Sequence, residues 1–174
     1  MNWHVRLAET SDRRAILEVV AAAFRRNDRN GQAEVGIVER TWKLGTAAEA
    51  LEFIVLNHSV VLGHVLAARG RLGNSQALGV APLSVLPSSQ RQGIGSALMT
   101  ELLRRAELAG WPLVLLLGDP RYYSRFGFEA AGRLGISYPP LGPDDPHFMA
   151  RRLSSFADHL RGEFSYCWEA SGFS

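Results

Sequence analysis

Apolar and polar positions recur with two different periods near the start of the chain. Residues 3–7 alternate one by one, which is typical of a half-buried strand. From Asp12 to Arg26, apolar residues return every three or four positions, as they do on one face of a helix. A weaker pattern of the same kind runs from Ala33 to Leu44. The sequence therefore predicts a strand followed by two helices.

The middle of the chain predicts three strands joined by short polar turns. Residues 51–56, 60–68 and 76–86 are rich in strand-forming side chains, and a polar turn is expected over residues 70–75. Pro82 interrupts the third strand. Because proline has no N–H to donate, it marks an edge position or a bulge.

A long helix and a short apolar strand come next. The helix follows the third strand and ends at Gly110, just before Pro112. The wholly apolar run 113–117 suits a central strand. A strand, a helix and a strand in this order form a parallel crossover by default. Weaker strand signals follow in the tail at residues 135–138, 148–153 and 164–168, so the pattern is that of an α+β, or mixed α/β, single domain.

Composition narrows the class of protein. Of 174 residues, 47% are hydrophobic and 21% charged, with a formal net charge of +2, which is ordinary for a soluble globular protein and too weakly basic to favour nucleic acid. No run reaches the roughly 18 apolar residues of a membrane span, and the start has no apolar signal region. The single cysteine, Cys167, fits a reducing compartment. We therefore expect a cytoplasmic protein that binds neither nucleic acid nor membrane.

The segment Leu83–Leu98, with the sequence LSVLPSSQRQGIGSAL, carries the first candidate chemistry. A strand leads into a loop containing Gly93 and Gly95, and a helix begins there. The N–H groups of a first helical turn have no internal acceptors, so they bind phosphates. No P-loop sequence is present, and the three-glycine dinucleotide fingerprint is absent. By itself the loop is equally compatible with close packing of a helix on a strand.

A second segment narrows the kind of ligand that this loop is expected to bind. The QRQGIG sequence, preceded by the LSVLP strand end, resembles the acetyl-CoA signature of the GNAT superfamily of N-acetyltransferases. About 30 residues later, the YSRFGF segment 123–128 resembles the second signature of that family. The resemblance covers roughly residues 3–130, with strands in 131–174 completing the sheet of a single domain over 1–174. The GDPRYYSRFGF segment and Pro146–Leu153 resemble a small bacterial branch of unassigned substrate.

The resemblance implies a fold and a set of coenzyme contacts. The fold would be a mixed, mostly antiparallel twisted sheet flanked by helices, with a splayed strand pair at the coenzyme site. Backbone N–H groups would bind the pyrophosphate of acetyl-CoA, and the strand end would pair with the pantetheine arm. The implied coenzyme-binding residues are Val85, Leu86, Gln90, Arg91, Gln92, Gly93, Ile94, Gly95 and Ser96.

The resemblance also implies a role for one tyrosine. Tyr123 matches the general acid of the family, which would protonate the thiolate that leaves when an amine attacks the thioester. Tyr122 is a neighbouring alternative, and packing on the coenzyme or in the core is the structural alternative for Tyr123. Arg125 is either a phosphate contact or a surface charge.

The general base is not identified by the sequence. The predicted strand 76–86 has no carboxylate or histidine, and its only hydroxyl is that of Ser84. The open candidates are Glu34, Glu52, His58 and His64, although His64 in an apolar run favours a structural role. No histidine or cysteine has metal-ligand spacing, so no metal is expected.

These observations predict transfer of an acetyl group from acetyl-CoA to a primary amine of a small molecule or peptide. Because members of the family often pair, the resemblance also implies a possible homodimer. The alternative is a non-catalytic module that senses acyl-CoA, because the strand before the loop lacks a carboxylate. Nucleic-acid binding is disfavoured because no basic and aromatic cluster is present.

Overall fold

The computed structural model describes residues 2–25, 31–45, 47–142 and 144–169, with only the backbone described for residues 47–50. Within these residues the helices are α1 (Arg13–Phe24), α2 (Gln32–Leu44), α3 (Ile94–Leu108) and the short α4 (Pro120–Tyr123). The strands there are β1 (His4–Leu7), β2 (Ala47–Asn57), β3 (Val60–Leu72), β4 (Ser75–Val85), β5 (Leu113–Leu117), β6 (Glu129–Ala130), β7 (Ile136–Ser137), β8 (Phe148–Arg152) and β9 (Gly162–Tyr166).

The chain folds into two compact units. Unit 1 comprises residues 1–67 and 81–102, and unit 2 comprises residues 68–80 and 103–174. The expectation of a single domain over residues 1–174 stays a prediction. None of the helices in the described part of the chain is long and apolar enough to cross a membrane.

The sheet of unit 1 runs in the order β1, β2, β3, β4. β1 is antiparallel to β2, from His4 opposite Leu56 to Leu7 opposite Phe53. Ile54 and Leu66 point from β2 and β3 into one apolar cluster with Ile16 of α1 and Val38 of α2. Because these residues are fully buried, α1 and α2 cover one face of the sheet in unit 1.

Asp12 fixes the start of α1 through contacts that precede the helix. Its carboxylate accepts two hydrogen bonds from the Arg6 guanidinium, at 2.7 and 2.8 Å, and one from the backbone N–H of Glu9 at 2.7 Å. The hydrogen bonds from Arg6 are the main reason why the pKa of Asp12 is lowered. The predicted helix therefore begins as expected, while its predicted end at Arg26 lies outside the described residues.

Unit 2 is built around β5. This strand is parallel to β4, with Leu78 opposite Val114 and Val80 opposite Leu116, and antiparallel to β8. The predicted parallel arrangement of the strands on either side of α3 is confirmed. β4 lies between β3 and β5, but its ladder with β5 ends at Val80, before Pro82. Pro82 lies beyond that ladder, so an edge position or a bulge stays the prediction for it.

The turn predicted over residues 70–75 is wrong in its first half. β3 continues to Leu72 and pairs with β9, with Gly70 opposite Tyr166. A Cβ on Gly70 would overlap the ring of Phe164, so only glycine allows the ring to pack on the strand here. The polar stretch is therefore a strand with one face buried against aromatic side chains.

Candidate functional site

The loop after β4 is short and ordered by its own hydrogen bonds. It begins with a single 3-10 turn at Pro87–Ser89, in which the N–H of Ser89 donates to the carbonyl of Leu86 at 2.8 Å. Two residues then adopt left-handed backbone, Arg91 at φ 60° and Gly93 at φ 84°. Left-handed backbone is costly for residues with a Cβ, so Gly93 is favoured at its position for conformational reasons.

The start of α3 presents free backbone donors. Ala97 N donates to Gly93 O at 2.9 Å, so the N–H groups of Ile94, Gly95 and Ser96 have no acceptor within the helix. The positive end of the helix dipole lies at the same place. Ile94 is only 1% exposed and anchors this turn, whereas Gly93 is exposed. The arrangement is able to bind an anion such as a phosphate.

Gly63 of β3 allows α3 to lie directly on the sheet. A Cβ at Gly63 would be 2.8 Å from Ile94 Cγ2, and 3.1 Å from both Leu98 Cδ1 and the carbonyl oxygen of Ser84. Side chains three positions apart in a strand point to opposite faces. Because Leu66 points towards α1 and α2, α3 covers the other face of the unit 1 sheet.

The two predicted pantetheine contacts differ in their free backbone groups. Leu86 N donates to Leu62 O at 2.9 Å, and Leu86 O accepts from Ser89. Both groups of Leu86 are therefore used internally. Backbone groups of consecutive residues in a strand point in opposite directions, so the N–H and C=O of Val85 point away from β3. Val85 is the better candidate for pairing with an extended ligand, although its C=O also accepts a hydrogen bond from the exposed Gln90 side chain at 3.2 Å.

The glutamines of the loop brace its backbone. Gln90 Nε2 donates to Val85 O at 3.2 Å, and Gln92 Nε2 donates to Ser88 O at 3.3 Å. These side chains are exposed, as is Arg91 between them. The nine predicted coenzyme-binding residues thus lie in unit 1 along the end of β4, the loop after it and the first turn of α3, where Arg91 contributes a positive charge.

Tyr123 ends α4 in unit 2. Asp119 caps this helix by accepting a hydrogen bond from the N–H of Arg121 at 2.9 Å. A Cβ on Gly118 would overlap the ring of Tyr123, so the ring lies directly against the backbone that follows β5. Burial, followed by the neighbouring Tyr122, raises the pKa of Tyr123 well above its ordinary value. The hydroxyl therefore keeps its proton at neutral pH and is available as a donor.

Tyr122 and Arg125 pack on each other. The guanidinium carbon of Arg125 lies 4.0 Å from the centre of the Tyr122 ring, which is a cation–π arrangement. The Tyr122 and Tyr123 rings meet edge to face at 4.8 Å. Tyr122 thus packs between Arg125 and Tyr123.

The structure separates the four candidate bases. Glu34 lies in the first turn of α2, and His58 is exposed at the β2–β3 turn. Glu52 and His64, in contrast, are brought together, with His64 Nε2 2.8 Å from Glu52 Oε1. Trp42 Nε1 donates to the same carboxylate at 3.0 Å. This cluster joins two strands and a helix, and residues 42, 52 and 64 have no local motif that reveals it.

No metal centre is found in the part of the chain that the structure describes, since no three His, Cys, Asp or Glu side chains there are grouped to hold an ion.

Comparisons with known proteins bear on the whole arrangement. A family model described as an acetyltransferase (GNAT) domain matches residues 4–131. The chain is 29% identical over 144 residues to YjhQ of Escherichia coli K12, described as an uncharacterized N-acetyltransferase, covering 80% of this chain and 77% of that protein. It is 45% identical over 87 residues, half of each chain, to YhbS of the same organism, which is described in the same way.

Solved structures agree in fold. A GNAT family acetyltransferase from Brucella melitensis, solved with acetyl-CoA, superposes with a TM-score of 0.78 at 28% identity, covering 97% of this chain and 98% of that one. YhbS from Escherichia coli, solved with CoA, gives a TM-score of 0.86 at 24% identity over 99% and 94% of the two chains. The mixed, mostly antiparallel sheet flanked by helices is thus confirmed as the GNAT fold. Because the family model spans most of the sequence, the chain belongs to the GNAT family of acetyltransferases.

Proposed function

We propose that this protein transfers an acetyl group from acetyl-CoA to a primary amine of a small molecule or peptide. The observation that carries the proposal is the start of α3, where the N–H groups of Ile94, Gly95 and Ser96 lack helical acceptors. The GNAT structure from Brucella melitensis was solved with acetyl-CoA, which supports the same ligand for this chain.

The donor half of the proposal assigns a role to each part of the loop. The N–H groups of residues 91–96 bind the pyrophosphate, with Arg91 adding charge and Gly93 adding a close backbone approach. Gln90 and Gln92 hold the loop in shape through their bonds to Val85 and Ser88. Val85 pairs with the amides of the pantetheine arm, and Leu86 contributes through its side chain, because its backbone groups are already used.

Tyr123 is proposed as the general acid. Acetyl-CoA supplies a thioester whose sulfur leaves as a thiolate when the amine attacks. The buried phenol holds its proton, because its pKa is raised, and donates to that sulfur. The pKa of a thiol is about 8.5, below that of the phenol, so Tyr123 contributes mainly as a hydrogen-bond donor to the developing charge. We expect its removal to cost about 100-fold in kcat, near the lower end for general acids.

Steady-state assays test this function. Purified protein is given acetyl-CoA and a panel of alkylamines, aminoglycosides and peptide N-termini, and release of free thiol is followed. We expect turnover with at least one amine, about 100-fold lower kcat for Tyr123→Phe, and near-normal kcat for the matched control Tyr122→Phe. Binding of acetyl-CoA without turnover on any amine would favour the alternative function, an acyl-CoA sensor. Equal activity of Tyr123→Phe and wild type would refute the role of the tyrosine.

Two further aspects remain proposals. A cytoplasmic location fits the single cysteine, Cys167, which is buried and cannot form a disulfide within the chain. A homodimer is proposed from the family resemblance alone and is tested by light scattering.

A further inference from the structure

Four buried side-chain polar atoms in the described part of unit 1 have no hydrogen-bond partner: Nε1 of Trp3, Oδ1 of Asn57, Nδ1 of His64 and Oγ of Ser84. Those of His64 and Ser84 belong to the neighbouring strands β3 and β4. His64 is 0% exposed and Ser84 is 1% exposed. Leaving a buried polar group unpaired costs about 1–3 kcal/mol, so each such group calls for an explanation.

The hydrogen bonds of the cluster define which nitrogen of His64 is unpaired. Glu52 accepts from the indole N–H of Trp42, which only donates, and contacts Nε2 of His64 at 2.8 Å. A carboxylate that accepts from His64 places the imidazole proton on Nε2. We assign the tautomer on this basis. Nδ1 is then a lone-pair acceptor inside the protein with nothing to accept from.

Ser84 lies where that lone pair can be used. Leu86 N donates to Leu62 O, and counting two residues back along β4 and two forward along β3 places Ser84 opposite His64. Residues opposite each other in antiparallel strands have Cβ atoms about 4.5–5.5 Å apart on the same face. A serine hydroxyl and an imidazole are able to meet across that separation. The hydroxyl is a donor as well as an acceptor, so it complements Nδ1.

The order of these groups runs across the strands of unit 1 towards residues 85–96, here called the coenzyme loop. Glu52 lies on β2, His64 on β3 and Ser84 on β4, and Ser84 directly precedes Val85, whose backbone groups point away from β3. Ser84 is therefore the member of the set next to the strand end at which the thioester is proposed to bind. Glu52, with 19% of its side chain exposed, lies at the other end.

We infer that Ser84, His64 and Glu52 form a proton relay for the acceptor amine, an inference that rests on the proposed acetyl transfer. The alkylammonium first gives one proton to Ser84 Oγ while the Ser84 hydrogen passes to His64 Nδ1, and Glu52 stabilises the resulting imidazolium. The free amine then forms a bond to the acetyl carbon, and the carbon–sulfur bond breaks. The second proton of the nitrogen passes through solvent to the thiolate, which leaves as the thiol.

Ser84 is the member that touches the amine, and His64 and Glu52 act through it as positioning residues. The relay supplies the base that β4 itself lacks, because no carboxylate or histidine lies on that strand. The relay also gives a use to two of the unpaired buried atoms, those of His64 and Ser84.

Kinetics on two kinds of amine test the relay. The variants are Ser84→Ala, His64→Gln and Glu52→Gln, and the matched controls are the exposed Ser59→Ala and His58→Gln. Each is assayed at pH 7 with the alkylamine that the wild type turns over best and with aniline, which is already unprotonated at that pH. We expect kcat on the alkylamine to fall about 100-fold or more, a much smaller loss on aniline, an unchanged KM for acetyl-CoA, and wild-type behaviour of both controls.

Two kinetic results would overturn the relay. One is a normal kcat in Ser84→Ala, which removes one oxygen and is expected to fold. The other is an equal loss of kcat on the alkylamine and on aniline. Acetylation of Ser84 by acetyl-CoA alone, detected by mass spectrometry, would make it a nucleophile instead. Nitrogen-15 NMR provides a readout independent of turnover. The relay requires the His64 proton on Nε2, and a proton found on Nδ1 instead would overturn it. If the wild type binds acetyl-CoA by calorimetry but acetylates no amine, the proposed function fails and the relay fails with it, whereas active variants remove the relay alone.

Discussion

Replacing Gly63 with alanine is expected to disturb the coenzyme loop from a distance. The new methyl would lie 2.8 Å from Ile94 Cγ2 and 3.1 Å from Leu98 Cδ1. Ordinary contacts between carbon atoms are about 3.5–4.0 Å, so Ile94 must retreat by roughly 0.7 Å. Ile94 is 1% exposed and stiff at χ1 because it is β-branched. The helix start is therefore expected to move with it.

The magnitude follows from two opposing effects. Overpacking a buried site costs about 1–3 kcal/mol, and the smaller conformational freedom of the unfolded alanine chain returns about 0.4–1 kcal/mol. We expect Gly63→Ala to lower the free energy of unfolding by about 1–2 kcal/mol, which lowers Tm by roughly 4 °C for a chain of this size. A displaced set of N–H groups at α3 is expected to weaken CoA binding by about fivefold, or about 1 kcal/mol.

Gly36 provides a matched control for the same substitution. It lies within α2, and a Cβ there would meet nothing within 4 Å. Alanine in a helix interior is favoured over glycine by about 0.5–1 kcal/mol, so Gly36→Ala is expected to raise Tm by roughly 2 °C and to leave CoA affinity unchanged. Urea unfolding and calorimetry with CoA measure both quantities. A Gly63→Ala protein that gains stability as the control does would refute the close seating of α3 on β3.

Three further predictions follow from single residues. Gly93→Ala and Gly45→Ala both place a Cβ in open space on left-handed backbone, at φ 84° and 63°. Each variant is therefore expected to lose about 1–2 kcal/mol of stability. Only Gly93→Ala is expected to weaken CoA binding in calorimetry. Asp12→Ala removes the acceptor of Arg6 and is expected to cost about 2 kcal/mol in urea unfolding at pH 7. Because the folded pKa of Asp12 is lowered, the stabilisation is present above pH ~4 and is lost on acidification, so variant and wild type should converge near pH 2. Burial raises the pKa of Tyr166 well above 10. The free energy of unfolding should therefore fall as pH rises above ~10, where the unfolded tyrosine ionises. Tyr166→Phe should make that fall less steep, and an unchanged slope would contradict this account.

Elements whose signal is local were predicted well from the sequence. α2 ends at Leu44, as its pattern predicted, since Gly45 supplies the left-handed cap. β5 matches the apolar run 113–117 because its burial shows directly in its composition. The true end of β3 was missed, because pairing of Gly70 and Leu72 with β9 decides it, and that partner lies about a hundred residues away along the chain.

The same distinction separates the two halves of the proposed site. The coenzyme loop is one continuous segment, so its glycines, its glutamines and the helix start could be read together. The pairing of Glu52 with His64 depends on the register of two strands, and Trp42 joins from a helix. The sequence offered these residues only as unranked candidates, because nothing in their spacing shows that they share one face of a sheet.

Consecutive residues of β3 link the two halves within unit 1. Side chains in a strand alternate between faces, so Gly63 faces α3 while His64 faces α1 and α2. The same rule separates the side chain of Ser84, on the face of His64, from the backbone groups of Val85 in the plane of the sheet. The proposed donor site at the end of β4 and the proposed proton relay on one face of the sheet are therefore adjacent without competing for the same atoms. A change that shifts the register of β3 by one residue would exchange the two faces and abolish both, which is why the tight fit at Gly63 and the buried contact of His64 are expected to depend on each other.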